Sequence, residues 1–385
     1  MLEIIKHCNS ITNSREANNI LILYDQDYKM FIGDTYILVN KLASCRSFFS
    51  HASIDINCRN KAHTALCSTL LRNNPYIRDF NDTPWEELSF HNYDIVFCIS
   101  RNEMPLIQIL RRQYELLFPR PWVTAVYSMS VQFLNYGDDP VVSSILPPFM
   151  ELLDDQAKHI IDAPPELYIS REERNWANQW LRANGLKDHE HLFIILDSTS
   201  ERYKLMSMDT YQQMLYHLLN EESVKLLIFD EQNIGKEAFY AEWLGADKIS
   251  KIIIPKKNSL REALCLLSSD YTKLIFGPCT GLIHCAAGIY NNFVRNGMPA
   301  ALVPPIVTYT GKYGEGHTAA YWWNTAPLVN VLILRAKADQ QKEVVLLRDL
   351  PEEEKEDTTS LLYCSEYTFD LLIDYLPSYS QSMVI

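Results

Sequence analysis

The sequence has no run of about eighteen uninterrupted apolar residues, the length a helix needs to cross a bilayer. Its opening stretch, MLEIIKHCNS, lacks the apolar core of a signal peptide, so a cytoplasmic protein is expected. The cysteines Cys8, Cys45, Cys58, Cys67, Cys98, Cys265, Cys279, Cys285 and Cys364 are odd in number, scattered and without a CxxC pair. Reduced thiols are therefore expected, with Cys265 and Cys285 on apolar helix faces, and a zinc cage is not. No basic stripe offsets the formal charge of −13, which argues against a general nucleic-acid binder. A local basic patch for phosphate groups is compatible with that charge. Neither half of the chain shows a short internal repeat.

What is present is an alternation of apolar strands with helical patterns. At 385 residues the chain exceeds one ordinary hydrophobic core, and 47% hydrophobic with 22% charged residues fits a soluble globular protein of two domains. In the first half, strands are predicted at 19–24, 53–57, 93–100 and 122–127, with helices at 35–48, 61–72 and 106–117. From Gly137 the pattern lapses, and Asp138-Asp139-Pro140, Pro147-Pro148 and Pro164-Pro165 mark a linker before a helix at 171–184.

The second half restarts the alternation. Strands are predicted at 192–196, 224–229, 252–254 and 273–276. Ser207 caps a helix whose Tyr211, Met214, Leu215, Leu218 and Leu219 form one stripe, a further helix spans 237–244, and Ser259 with Glu262 makes a capping box. A helix of small residues opens at Gly281. Further strands are expected at 300–307 and 329–334, a solvated loop or helix face at 352–357, and a terminal helix at 367–375. The class is α/β with parallel sheets, divided as 1–165, 166–350 and a tail of 351–385 that packs back on the first half.

Three strand-to-helix junctions carry the chemistry. Phe276-Gly277-Pro278-Cys279-Thr280-Gly281-Leu282-Ile283-His284 runs from a strand through a tight turn into a helix, which aims backbone N–H groups at the carboxyl edge of the sheet, where phosphates bind. His284, four residues after Thr280, falls on the same helix face. The bland alternative is a βα turn with a packing histidine. Asp197-Ser198-Thr199-Ser200-Glu201-Arg202-Tyr203-Lys204 follows another strand, with hydroxyls able to donate to phosphate oxygens and a lysine to balance their charge. Gly33-Asp34 opens the first helix, where Asp34 serves either as a proton acceptor or as an N-cap. Asp230 and Glu231, after a strand, suit ribose hydroxyls; Arg101 and Arg120, near strand ends, suit an anionic acceptor. Asp25-Gln26-Asp27 has the D-x-D spacing of a metal site and is left unassigned, so no metal is expected.

In these segments the chain resembles glycosyltransferase family 9, the lipopolysaccharide heptosyltransferases. The family signature D-T-G-x-x-H is matched by Thr280, Gly281, His284, Ala286 and Ala287, with Cys279 in place of the aspartate. The family's hydroxyl-rich turn and lysine are matched by Ser198, Thr199, Ser200 and Lys204, with Leu205 in place of a tryptophan, and its Gly-Asp pair by Gly33-Asp34. The resemblance covers about half the chain.

The resemblance implies two Rossmann-like domains facing across a cleft, the GT-B type, with the acceptor side in 1–165 and the nucleotide sugar in 166–350. It implies an inverting, metal-independent transfer of a heptose or similar sugar from a nucleotide-diphosphate donor such as ADP-heptose to a glycan or glycolipid such as a lipopolysaccharide core. No cofactor or nucleic acid is implied, and peripheral contact with the inner membrane face is. Asp34 is then the general base, and Lys204, Ser200 and the Thr280-Gly281 turn stabilise the departing diphosphate. Two alternatives share the fold: a non-catalytic relative that binds nucleotide sugars, and a sugar-nucleotide epimerase.

Overall fold

The computed structural model describes the chain except residues 13–15, 26–31, 59, 131–144, 153–163, 232, 313–318, 324–325, 338 and 377–385. It divides into two compact units, Met1–Tyr168 and Ile169–Ile385. Among the described residues no helix is long and apolar enough to cross a membrane.

The first unit holds a five-stranded sheet of β1 (Asn19–Asp25), β2 (Ser53–Cys58), β3 (Ile77–Asn81), β4 (Ile95–Ser100) and β5 (Ala125–Ser128). The order is β3-β2-β1-β4-β5, with every pairing parallel. Strands β1 and β4 are apolar on both faces because helices cover both sides of a parallel sheet. The helices are α1 (Leu2–Ile11), α2 (Ile32–Phe48), α3 (Lys61–Leu70) and α4 (Met104–Leu117). Leu21, Leu23, Val96 and Val126 meet Leu106 and Leu110 of α4 and Ile5 of α1 in one core. Each such side chain contributes roughly 1.5–3 kcal/mol by leaving water.

One strand and one α-helix of this unit escaped the sequence reading. Strand β3, IRDFN, is an edge strand with no buried position, so it carries no apolar run. Helix α1 buries only Ile5 and Cys8, too few to make a stripe.

The second unit contains β6 (His191–Ile195), β7 (Val224–Leu227), β8 (Ile252–Ile253), β9 (Thr272–Pro278), β10 (Ile306–Thr310), β11 (Val329–Ala336) and β12 (Lys342–Leu346). Their order is β12-β11-β10-β9-β6-β7-β8, parallel except for β12 on β11. The longer helices are α5 (Arg171–Ala183), α6 (Met208–Asn220), α7 (Lys236–Leu244), α8 (Leu260–Leu267) and α9 (Gly281–Arg295). The Ser207 hydroxyl accepts from Thr210 N to cap α6, and Ser259 with Glu262 forms the capping box of α8.

Two expectations are corrected here. The strand expected at 300–307 is instead a 3-10 turn, Ala300–Leu302, followed by β10 at Ile306–Thr310. Pro304-Pro305 separates them, since two residues without N–H donors cannot run through a central strand. The terminal helix expected at 367–375 is not one continuous helix. The tail makes a single α-helical turn, Phe369–Leu372, between 3-10 turns at Cys364–Glu366 and Ile373–Tyr375. Cys364, Tyr367, Leu372 and Leu376 lie in the core of the second unit. The Tyr367 hydroxyl donates to the carbonyls of Thr310 (2.8 Å) and Leu332 (3.0 Å), fastening the tail across β10 and β11.

Candidate functional site

In each sheet the strand order reverses once, between β1 and β4 and between β6 and β9. At such a switch point the loops leave the carboxyl ends of adjacent strands in opposite directions and open a crevice where ligands bind. In the second unit, β6 runs into the loop bearing Asp197 to Lys204, and β9 runs into the turn at Cys279-Thr280.

Gly277 permits the close approach of these two strands. A Cβ there would lie 2.7 Å from both Cβ and the carbonyl oxygen of Leu196, while Leu196 N donates to the Phe276 carbonyl at 2.8 Å. After Pro278 and the buried Cys279, Thr280 adopts extended backbone and caps α9, its hydroxyl accepting from Leu282 N at 3.3 Å. Gly281 therefore opens a 15-residue helix whose positive end faces the crevice, the ordinary setting for a phosphate.

His284, in the first turn of α9, is buried and stacks flat on Trp323, with ring centroids 3.9 Å apart and planes 7° from parallel. Burial, helped by the nearby positive charge of Lys204, pushes its pKa down to about 3, so the imidazole is neutral at physiological pH. Lys204 itself ends a 3-10 turn, Arg202–Lys204, and is half-buried. The fold thus brings Lys204 and His284, 80 residues apart in the chain, to one place.

Other members of the expected donor set have distinct positions. Ser198 and Thr199 are half-buried and Ser200 is exposed on the loop leaving β6. Asp230 is corrected: it is buried, its Oδ1 accepts from Ile234 N (2.8 Å), and its Oδ2 accepts from Gly235 N (3.1 Å) and Lys236 N (3.2 Å). Both oxygens take part in starting α7, and the side chain is turned inward rather than presented to the crevice. Glu231 keeps 39% of its side chain exposed at the rim, 3.3 Å from the Ser198 hydroxyl.

The sequence reading missed the group that ties this rim together. The buried Lys236 ammonium donates to Asp197 Oδ1 (2.6 Å), the Phe229 carbonyl (2.6 Å) and the Ser198 hydroxyl (2.8 Å), and reaches Glu231 at 3.5 Å. Tyr240 donates to Asp197 Oδ2 at 2.7 Å, and its hydroxyl meets that of Tyr211 at 3.0 Å. Burial and the Asp197 carboxylate push the Tyr240 phenol upward, which keeps it a neutral donor. The available signal was Asp197 itself, an acid at a strand end that needs a partner once buried; nothing in the local pattern named Lys236.

In the first unit, the Ser100 hydroxyl at the end of β4 donates to Asp25 at the end of β1 (3.1 Å), across the switch point. Arg101 follows directly and is exposed. Arg120 is corrected. It lies between α4 and β5, hence at the amino edge of the sheet, a strand length away from the edge that carries Asp25, Ser100 and Arg101. Helix α2 begins at Ile32, so Asp34 occupies its first turn rather than its cap, and the Asp34 side chain, like Gln26 and Asp27, lies outside the described residues. The described residues contain no group of three or more His, Cys, Asp or Glu placed to hold a metal ion.

Comparison of the sequence with family models and with curated proteins gives no match. The three-dimensional comparison does: the fold is that of the GT-B glycosyltransferases. The chain is similar to the family 9 glycosyl transferase of Veillonella parvula DSM 2008 at 14% identity, over 94% of this chain and 97% of that one, with a TM-score of 0.56. It is also similar to the ADP-heptose LPS heptosyltransferase II of E. coli at 14% identity, over 82% of this chain and 90% of that one, with a TM-score of 0.52.

Proposed function

We propose that the chain is a glycosyltransferase that binds a nucleotide-diphosphate sugar at the β6/β9 crevice of its second unit. The observation that carries this reading is the convergence at one switch point of Lys204, the Ser198-Thr199-Ser200 loop and the positive end of α9 at Thr280-Gly281. A diphosphate leaving group develops negative charge as the glycosidic bond breaks, and fixed N–H dipoles with one ammonium stabilise that charge without reorganising. The ADP-heptose in the E. coli neighbour's name makes a heptose or related sugar the first donor to test.

In this reading Asp34 accepts the proton of the attacking hydroxyl on a glycan or glycolipid. A single in-line displacement inverts the anomeric centre, and the positive cradle does the work that a divalent cation does in other transferases. Asp34→Asn retains size and shape but cannot take a proton, so turnover falls by about a hundredfold or more. Donor affinity and melting temperature stay near wild type. The check is sugar transfer to a lipopolysaccharide-core acceptor, followed with and without EDTA; full turnover in the variant removes Asp34 from the reaction.

A non-catalytic binding protein is the second reading, favoured by one observation. Cys279, where the resemblance places aspartate, is buried at 5% exposure and supplies no carboxylate to a donor sugar. Binding of nucleotide sugars without turnover selects this reading. Consumption of the sugar nucleotide with no acceptor present selects an epimerase.

A further inference from the structure

We propose that Lys236 is a positioning residue that makes Ser198 an outward-directed donor to the diphosphate. The inference rests on the donor-site reading above and concerns a residue that touches no ligand. Its chemistry follows from counting protons and lone pairs. Asp197 Oδ1 receives the Lys236 ammonium and Oδ2 receives the Tyr240 hydroxyl, so each carboxylate oxygen already holds a strong donor. The same ammonium donates to the Ser198 oxygen at 2.8 Å. A hydroxyl that accepts from a cation has its own hydrogen turned away from that cation and made a better donor.

Among the described residues the acceptors near that hydrogen are the Asp197 oxygen at 3.2 Å, which it shares with the Lys236 ammonium, and the half-exposed Glu231 oxygen at 3.3 Å. A phosphate oxygen entering the crevice competes with these two long contacts, the Glu231 one lying on the solvent side. Lys236 is held for this task from behind. It is 7% exposed, its third donor contact is the Phe229 carbonyl at 2.6 Å, and its own backbone N–H is fixed by Asp230 at 3.2 Å. Lys204 supplies the charge that faces the ligand; Lys236 orients the hydroxyl beside it.

Removing Lys236 alone strands a buried carboxylate and threatens the fold. The test therefore uses the charge-neutral pair Lys236→Met with Asp197→Asn, the single variant Ser198→Ala, and the three changes together, all in the full chain. Titration calorimetry measures whichever of ADP and UDP binds wild type, together with its nucleoside, and each variant is melted. The neutral pair and Ser198→Ala each weaken the diphosphate about tenfold, and the triple variant weakens it by the same factor of about ten in total rather than about a hundred, because one shared contact is lost once. Nucleoside affinity stays constant.

If the neutral pair binds the diphosphate as wild type does, or the losses multiply, or the nucleoside weakens in parallel, Lys236 only supports the fold and the proposal is overturned. Should the pair not fold, Lys236→Arg decides: it keeps the cation but not the compact geometry, and unchanged diphosphate affinity in it overturns the proposal. Absence of ADP and UDP binding in wild type overturns the donor-site reading itself, which a wild-type signal with insensitive variants does not.

Discussion

At the scale of single residues, the crevice rests on side chains whose ordinary chemistry has been altered by burial. His284 shows this most directly. Its folded pKa, about 3, lies below the unfolded value of about 6.5, so between those values the unfolded chain binds the extra proton. Stability contributed by this group is complete above pH 6.5 and is lost as the pH falls towards 3. Between pH 7 and pH 5 the loss amounts to roughly 2 kcal/mol, from about 1.5 pH units at about 1.4 kcal/mol each. Urea titrations of wild type and His284→Gln at both pH values check this: the variant loses about 2 kcal/mol less on acidification. An identical acid sensitivity in both proteins removes His284 as its source.

At the scale of elements, the β6/β9 junction depends on the absence of one methyl group. Gly277→Ala places a Cβ 2.7 Å from Leu196, on backbone as well as side chain, so the strands must part. The expected cost is about 1–3 kcal/mol in urea unfolding, the range for overpacking, with weaker nucleotide binding because the crevice opens on the same line. A variant as stable as wild type contradicts that role. Thr280 makes a smaller contribution as the cap of α9, about 1 kcal/mol, through its bond to Leu282 N.

The elements also show what could be read without coordinates and what could not. Strands such as NILILY and LFII, apolar on both faces, and helices with Ser207 or Ser259 at their starts are local signals, and both sheets follow from their alternation. Turn chemistry at Gly277 to Gly281 was legible for the same reason. Edge strand β3 was not, because its side chains meet solvent, and the tail was not, because its hold on the protein is Tyr367 reaching carbonyls 35 and 57 residues away. Lys236 belongs with these: its meaning lies in Asp197 and Ser198, 39 and 38 positions upstream. Arg120 was misread because distance along the chain from a strand does not say which edge of the sheet is near.

At the scale of the whole molecule, two doubly wound units place a switch point in each half, and the second holds the proposed phosphate site. The account stands or falls on whether that crevice takes a diphosphate. Titration calorimetry of the full chain with ADP, UDP and their nucleosides, for wild type and Lys204→Ala, tests it most directly. The predicted result is one-to-one binding of at least one nucleoside diphosphate, weakened in Lys204→Ala by roughly 1.5–3 kcal/mol while the nucleoside is unaffected, as expected for one charge-assisted contact. No binding of either diphosphate to wild type, or equal losses for diphosphate and nucleoside in the variant, contradicts it.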